Sequence, residues 1–538
     1  MKKTLAILTV LVLTIAAAGQ TLKITTSSGT KEYQASQVTE SSPATFTGGT
    51  TLTVGNDVFT ISDITSVEVV RSQESGVEAN TVNIVYNGST ATVTKADNIS
   101  NYVTAEVSGA HVTITQTNTE AIDNDEITYV LSGSTTDGSL TLDGSYKCTV
   151  SLAGLTMTNP NGAAINITNK KRIQLSAMNG TENTLTDGSN GSQKACIYSK
   201  GQLQLQGKGT LNVAGNTKHA IKSGDYIEVK NLTLNITSAV ADGINCEEYF
   251  WIKSGAVTIS GVGDNGIQCD LGGDTSTGEI VATETVDAHE DEDSGNIYIE
   301  GGTLNITNST AGGKGIKAEG DIKFADGDVN VSVTGSNVRT GSDTTAAKGI
   351  KADGSITISG GNITAYAKNH EAIESKSTIV ITGGSVCTTS SDDAINSAGD
   401  LTISGGYVYA RSTGNDGIDS NGNCYIKGGL VYAIGTSSPE VAIDANSEAQ
   451  KKLYVSGGTI VAIGGLESGS SLTQSCYSTN SWNKNTWYAL TVGSDVLAFQ
   501  TPSSGGSTMV VSGASQPTLK SGVTVSSGTE IFGGRRLY

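Results

Sequence analysis

The apolar residues of this chain recur in short runs that alternate with polar residues. In Leu401-Thr402-Ile403-Ser404 every second side chain is apolar, which is the spacing of a β-strand with one buried face. Most of the apolar positions are Ile, Val or Leu, and 67 glycines supply bends between the runs. No amphipathic helix of useful length follows the first 20 residues. The pattern therefore predicts an all-β protein.

A longer repeat is superimposed on this alternation. A small residue followed by Ile, with a charged or amide residue on each side, returns about every 23 residues, as in Asp242-Gly243-Ile244-Asn245 and Asp416-Gly417-Ile418-Asp419. A fixed period of this length is typical of a solenoid. Many repeats also carry a Gly-Gly pair, such as Gly405-Gly406, which we interpret as a bend before the next strand. The period favours a three-sided parallel β-helix of about eleven coils between residues 148 and 465.

The segments outside these coils lack the period. Residues 1–19 combine Met1-Lys2-Lys3, a short apolar run and a small-residue end, which predicts a secretory signal peptide and hence a secreted or cell-surface protein. The apolar run is too short to span a bilayer, so we expect no transmembrane segment. We interpret residues 20–75 as β-hairpins, and residues 76–147 and 466–538 as β caps. Such caps cover the strand edges that an open coil end would expose.

The net charge narrows the possible classes of binding partner. The net charge of −19 excludes nucleic-acid binding through a basic surface. It also repels acidic polysaccharide unless a divalent cation lies between the two. An acidic run, Asp287 to Asp293, is interpreted as a solvated loop.

Of the seven cysteines, Cys246 and Cys269 follow successive repeat isoleucines, and either a disulfide or a pair of buried thiols is possible.

Residues at equal distance from the repeat isoleucine are expected to stack on one face of the rod. Carboxylates one coil apart repel one another, and Ca²⁺, which takes 6–8 oxygen ligands, would compensate them. The best calcium candidates are Asp393, Asp416 and Asp419, with Glu371, Glu374, Asn396 and Asp444 as neighbours. The alternative is a solvated acidic face whose upper rungs form ion pairs with lysines of the preceding coils.

A second column follows the Gly-Gly bends. Tyr407 and Tyr409 lie on one coil and Tyr432 on the next, with Arg411 nearby. Exposed tyrosine rings offer flat apolar surfaces that suit the C–H faces of sugars. The alternative is that an inserted loop or the C-terminal segment covers them.

The sequence offers little for catalysis, because it contains neither a GxSxG nor an HExxH motif. A polysaccharide lyase would need a basic residue to remove a proton, and the candidates in the repeat columns are Lys348 and Lys351. Both adjoin Glu371 and Glu374 in the predicted register, and negative neighbours stabilise a protonated amine. This weakens the enzyme hypothesis.

Several phrases together resemble a known family. They are Gly162-Ala163-Ala164-Ile165, the run from Gly180 to Gly188, the run from Lys194 to Lys200, and the repeated Asp-Gly-Ile and Ile-Ser-Gly-Gly phrases. The chain resembles the bacterial secreted carbohydrate-binding domain-containing proteins, a β-helix family akin to pectate lyases. The resemblance implies a right-handed parallel β-helix, bound Ca²⁺ and binding of cell-wall polysaccharide, including polygalacturonate-like chains, without established catalysis. In two coils the phrase reads Lys-Gly-Ile-Lys instead of beginning with Asp-Gly-Ile. In that case Lys314 and Lys317 would contact uronate carboxylates directly.

The resulting hypothesis is a secreted, monomeric, calcium-dependent protein that binds acidic polysaccharide without cleaving it. The first alternative is a calcium-dependent polysaccharide lyase that uses Lys348 or Lys351. The second is a structural or adhesive surface rod without a glycan site.

Overall fold

The structure, a computed structural model, describes residues 12–13, 20–34, 37–38, 43–71, 76–271, 295–531 and 536–537. Most of the predicted signal peptide and the acidic run Asp287 to Asp293 lie outside the described residues. In the described ranges the helices are three short 3₁₀ turns, Ile61–Asp63, Asp97–Ile99 and Ser447–Ala449. None of the helices described there has the length and apolar character needed to cross a membrane.

The repeat isoleucines form one face of a solenoid, which we call the isoleucine sheet. Its strands pair in parallel except at the first pair, and isoleucine lies against isoleucine from coil to coil, as in Ile244 with Ile267 and Ile395 with Ile418. The 13 strands described in this sheet are Val103–Ser108, Ala110–Gln116, Gly138–Gly144, Ile165–Ile167, Ala195–Ser199, His219–Ser223, Ile244–Cys246, Ile267–Cys269, Ile316–Ala318, Ile350–Ala352, Ile373–Ser375, Ile395–Ser397 and Ile418–Ser420.

The other two sides of the solenoid, the second and third faces in chain order, belong to one sheet of 25 described strands, because long strands such as Cys424–Ile434 bend through the corner between them. At that corner Gly429 has a φ of +79°, and a Cβ there would lie 2.8 Å from the backbone of Gly405. A residue with a side chain would therefore be strained. The strands are Thr81–Asn87, Thr90–Lys95, Ile127–Thr135, Cys148–Asn159, Ile173–Ala177, Glu182–Asp187, Leu203–Gly207, Thr210–Gly215, Ile227–Lys230, Leu232–Ala239, Tyr249–Ile252, Gly255–Ile259, Asn296–Asn308, Ile322–Val333, Ile356–Ile358, Asn362–Ala367, Ile379–Ile381, Ser385–Ser390, Leu401–Ile403, Tyr407–Ser412, Cys424–Ile434, Leu453–Ile463, Ser471–Leu472, Ser475–Thr479 and Met509–Gly513.

Smaller sheets lie at the two ends of the chain. Near the N-terminus, Val12–Leu13, Ala44–Thr47, Thr51–Val54 and Asp57–Thr60 form one antiparallel sheet, and Gln20–Thr26, Gly29–Gln34 and Ile64–Arg71 form another. Val338–Thr340 and Asp343–Thr345 form a hairpin within the solenoid. The C-terminal sheet consists of Trp487–Val492, Asp495–Gln500, Thr518–Ser521, Thr529–Glu530 and Arg536–Leu537.

The solenoid interior is one continuous apolar core that extends from Val77 to Val510. The Sγ atoms of Cys246 and Cys269 lie 3.4 Å apart inside the core, which is too far for a disulfide bond, so the buried-thiol alternative applies. A separate cluster joins the outer surface of the third face, including Tyr432 and Val461, to the C-terminal sheet through Leu497 and Phe499. Burial of this apolar surface holds the C-terminal sheet against the rod.

The predicted all-β parallel β-helix is confirmed. The solenoid has about 13 turns rather than the eleven expected. Parallel pairing already joins Ala110–Gln116 to Gly138–Gly144, before the expected start at residue 148. These first coils lack the small-residue-Ile phrase, so the period alone did not reveal them.

Candidate functional site

The predicted charged column lies on the isoleucine sheet. Lys317 pairs in register with Lys351, Lys351 with Glu374, Glu374 with Asn396, and Asn396 with Asp419. In a parallel, in-register sheet, equivalent side chains stand above one another at the strand spacing of about 4.8 Å. One face of the rod therefore changes from lysine to carboxylate along its length.

The lysine rungs are Lys314, Lys317, Lys348 and Lys351. Lys314 is half-buried, and its Nζ donates a hydrogen bond to the carbonyl of Gly312 at 2.8 Å. Burial lowers the pKa of Lys314; Asp264 opposes this change and the three neighbouring lysines reinforce it. The rungs thus concentrate positive charge on two adjacent coils.

Glu371 and Glu374 lie directly after these rungs and are compensated by cations. The Lys348 ammonium lies 3.0 Å from a Glu371 oxygen and 2.5 Å from a Glu374 oxygen, and its side chain is only 8% exposed. Lys376 contacts the other Glu374 oxygen at 2.5 Å. Burial alone would raise the pKa of Glu371, but the hydrogen bond with His370 and the charge of Lys348 outweigh it and lower the pKa to about 2.

This pairing changes the roles open to the predicted residues. The negative charges of Glu371 and Glu374 already have protein partners, so they need no metal ion. Lys348 is held between two glutamates, and Lys351 lies 2.5 Å from Asp353. Both amines are thus engaged by carboxylates of the protein itself, which does not favour either lysine as the base of a lyase.

The carboxylate cluster, Asp393, Asp416, Asp419 and Asp444, follows on the next coils. Asn396 lies between two of its members and donates to Asp393 at 2.9 Å and to Asp419 at 2.7 Å. The backbone N–H of Asp416 donates to Asp393 at 3.1 Å, and that of Val441 donates to Asp416 at 2.5 Å. These bonds fix the positions of the Asp393, Asp416 and Asp419 carboxylates.

No Lys, Arg or His of the described residues forms an ion pair with the carboxylate cluster. Burial, followed by the charge of Asp419, raises the pKa of Asp393 to about 8. Burial is also the main cause for Asp416, whose pKa is raised to about 7, and for Asp419, raised to about 6. Burial and a hydrogen bond with Glu467 raise that of Asp444 to about 9. The cluster therefore needs protons or a cation.

The donor atoms of the cluster suit a hard cation. One carboxylate oxygen each from Asp416, Asp419 and Asp444 lie within 4.8 Å of one another. Ca²⁺ prefers oxygen ligands, and these three residues supply only oxygen. A second group, His370, Glu371 and Asp392, also lies within 4.8 Å, but it includes a nitrogen donor and its Glu371 is paired with Lys348.

Most of the predicted tyrosine surface is covered by other parts of the protein. Tyr407 is 37% exposed, whereas Tyr409 is 7% exposed and Tyr432 is fully buried. The Tyr432 hydroxyl donates to the carbonyl of Gln500 at 2.9 Å, and its ring lies 5.2 Å from that of Phe499. Tyr409 and Tyr432 are thus covered by the C-terminal sheet, and Arg411 is half-buried beside them. Of the predicted aromatic surface only Tyr407 is accessible to a sugar.

The repeat pattern did not single out another aromatic pair. The rings of Tyr425 and Tyr454 stack 5.1 Å apart at 10°, with the Lys427 ammonium 4.9 Å from the Tyr425 ring. Both tyrosines lie three residues before a Gly-Gly bend on adjacent coils. Counting residues back from the bends would have found them.

This geometry defines a class of protein. It is a parallel β-helix with the charged column, hereafter the charged ladder, along one face and a sheet packed on another. The chain belongs to the family described as "carbohydrate-binding domain-containing protein", whose sequence model matches residues 108–394, more than half of the chain. The match ends at Ala394, so three of the four carboxylates in the cluster lie beyond it.

Two individual proteins are similar to parts of the chain. A "carbohydrate-binding domain-containing protein" of Acetivibrio thermocellus is 26% identical over 111 residues. That match covers 19% of this chain and 39% of the relative's length. A solved "polysaccharide lyase-like protein from C. thermocellum", a gadolinium derivative, is 23% identical and has a TM-score of 0.38, covering 52% of this chain and 96% of its own.

Proposed function

We propose that this protein is exported and binds polysaccharide along the charged ladder, with Ca²⁺ held by the carboxylate cluster. The observation that carries the proposal is the contrast between two neighbouring parts of one column. Glu371 and Glu374 have cationic partners, whereas the four aspartates of the cluster have raised pKa values and no cationic partner in the part of the chain that the structure describes. Family membership supports carbohydrate as the class of ligand.

The charge distribution favours an acidic chain as the ligand. Bound Ca²⁺ would neutralise the cluster and leave coordination positions for the carboxylates of a uronate polymer. Lys314 and Lys317 lie on the same face, four coil steps or roughly 19 Å from Asp419 at the usual strand spacing. An extended acidic chain along the ladder would meet cationic groups near both ends.

The raised pKa values couple this binding to protons. At neutral pH part of the cluster is protonated, because the pKa values of Asp393 and Asp444 are about 8 and about 9. A cation competes with these protons, so its binding would release protons and strengthen with rising pH.

The decisive experiment is retention of the purified protein on immobilised polygalacturonate, with Ca²⁺ and with a chelator. We expect retention only with Ca²⁺, and we expect its loss in the double variant Asp416→Asn, Asp419→Asn. The matched control is Asp343→Asn, since Asp343 is an exposed aspartate in a hairpin outside the ladder. The control should behave like the unaltered protein.

Three results would contradict the proposal. Retention that is unaffected by the chelator would assign the binding to the lysine rungs instead of the carboxylate cluster. Absence of retention under both conditions would remove acidic glycans as the ligand. Release of unsaturated oligosaccharides from polygalacturonate would show a lyase, a function that the ion pairs of Lys348 and Lys351 do not favour.

A further inference from the structure

A groove with a volume of about 810 Å³ lies away from the isoleucine sheet. One side is the corner between the second and third faces, where Gly-Gly bends of successive coils stack. The other side is the C-terminal sheet, which contributes Leu490, Val492, Asp495 and Leu497. The groove runs along the rod across the coils from Asp326 to Thr459.

The bottom of the groove consists largely of peptide backbone. Gly384 and Gly406 have φ values of +75° and +80°, and a Cβ at either would lie 2.7 Å from a backbone oxygen of the preceding coil. Glycine is therefore required there for the fold itself. One consequence is that these half-exposed bends present bare peptide groups rather than side chains.

The side walls combine an aromatic ring with oxygen-bearing groups. The Tyr407 side chain, 37% exposed, lines the groove next to the buried Leu430. Asp326 and Asp495 are exposed and lie on opposite sides of the groove. A flat ring beside carboxylate acceptors matches a sugar, which presents a C–H face and a rim of hydroxyl donors.

The charge of the groove distinguishes its ligand from that of the ladder. Among the described residues that line it, two are carboxylates and none is Lys, Arg or His. A uronate polymer would meet like charge there with no compensating cation. Hydroxyl groups of an uncharged sugar would instead find charged acceptors.

We propose that this groove is a second glycan site, which binds a neutral polysaccharide chain without Ca²⁺. Tyr407 stacks on one sugar ring, and Asp326 and Asp495 accept hydrogen bonds from hydroxyls. The proposal rests on the glycan-binding part of the proposed function but not on the carboxylate cluster. The stacked pair Tyr425 and Tyr454 is a weaker candidate, because each ring covers one face of the other.

The test is isothermal titration calorimetry of the full chain, in the presence of a chelator, with cellohexaose, xylohexaose and mannohexaose. We expect at least one hexaose to bind. Tyr407→Ala should weaken that binding about tenfold, through loss of stacking and apolar contact. Asp495→Asn should weaken it about threefold or more, because a charged acceptor is replaced by a neutral one.

Tyr366→Ala provides a matched control. Tyr366 is also 37% exposed and lies on the third face, but it does not line the groove. Its substitution should leave hexaose binding unchanged. Thermal melting of each variant establishes that the fold is intact.

Lack of binding of all three hexaoses at millimolar concentration would overturn the proposal. Equal effects of Tyr407→Ala and Tyr366→Ala would also overturn it. Calcium-dependent retention on polygalacturonate without hexaose binding would reject the groove and leave the proposed function intact. Hexaose binding without polygalacturonate retention would reject the acidic ladder and leave the groove.

Discussion

Glu374 and Asp419 occupy the same column, two coils apart, yet their carboxylates are in opposite electrostatic situations. Glu374 contacts the ammonium groups of Lys348 and Lys376 at 2.5 Å each. Burial and the charges of Glu371, Asp392 and Glu440 raise the pKa of Asp419 to about 6, although a hydrogen bond with Asp444 opposes this change. Position in the stack therefore decides which carboxylate of the column has a cationic partner.

At the residue scale, we predict that Asp419→Asn has opposite effects with and without Ca²⁺. In a chelator at pH 8 the variant should be more stable by about 1–2 kcal/mol, because it removes a buried charge among like charges. With Ca²⁺ the unaltered protein should be the more stable, since the variant has lost a ligand. Thermal unfolding followed by circular dichroism measures both conditions.

The control for this prediction is Asp343→Asn, which removes one exposed negative charge outside the cluster. It should shift neither midpoint noticeably. Equal Ca²⁺ stabilisation of the Asp419 variant and the unaltered protein would show that Asp419 does not hold the ion.

At the scale of single strands, Ile350–Ala352 and Ile373–Ser375 are joined by buried charge as well as by backbone hydrogen bonds. The flanking Lys348 forms ion pairs with two buried glutamates of the next coil, and Lys376 supplies a second positive charge beside Glu374. Such a triad adds little net stability over apolar residues, but removal of one member leaves an uncompensated buried charge.

We therefore predict that Lys348→Met destabilises the protein by about 3–5 kcal/mol. Lys351→Met, within the strand that Lys348 precedes, should cost less than about 1 kcal/mol, because its partner Asp353 is 40% exposed. Urea unfolding at pH 7 compares the two variants.

Replacement of the whole triad tests the same explanation. Lys348→Met combined with Glu371→Leu and Glu374→Leu should recover most of the stability lost in the single variant. A triple variant as unstable as Lys348→Met would show that packing of the lysine stem, rather than charge, is what matters.

At the scale of the whole molecule, the carboxylate cluster should give the metal-free protein an unusual dependence on pH. Its four pKa values, about 6 to about 9, lie above those of an unfolded chain, so the folded state binds more protons. Stability therefore falls as pH rises through these values. We predict that the melting midpoint in a chelator decreases from pH 5 to pH 9.

Saturating Ca²⁺ should flatten this decrease, because the cation replaces the protons. Glu371 does not alter the sign in this window, since its pKa of about 2 keeps it ionised throughout. A midpoint in chelator that rises from pH 5 to pH 9 would contradict the assigned pKa values.

The C-terminal sheet is the other feature that acts on the whole molecule. It covers the outer surface of the third face, including Tyr409, Tyr432, Val461 and Ile463. We predict that a chain ending at residue 465 associates, because this apolar surface becomes exposed next to open strand edges. Size-exclusion chromatography of the shortened chain against the full chain tests this, and a monodisperse shortened chain would contradict it.

The repeat alone was sufficient to predict the solenoid and the order of residues along the ladder. Parallel strands in register convert a fixed sequence period into a fixed vertical stack, so Lys317, Lys351, Glu374, Asn396 and Asp419 could be aligned by counting from the isoleucines. The first coils lack the small-residue-Ile phrase, so this count did not reveal how far the solenoid extends towards the N-terminus.

Tertiary structure decided which members of each column are available. Tyr407, Tyr409 and Tyr432 share a sequence pattern, but the C-terminal sheet, which lacks the period, packs over only two of them. The carboxylates likewise differ through distances and burial that depend on side chains from several coils. Local periodicity determines register, because neighbouring strands repeat one geometry. Exposure and charge pairing depend on contacts between segments far apart in the chain, which a period does not specify.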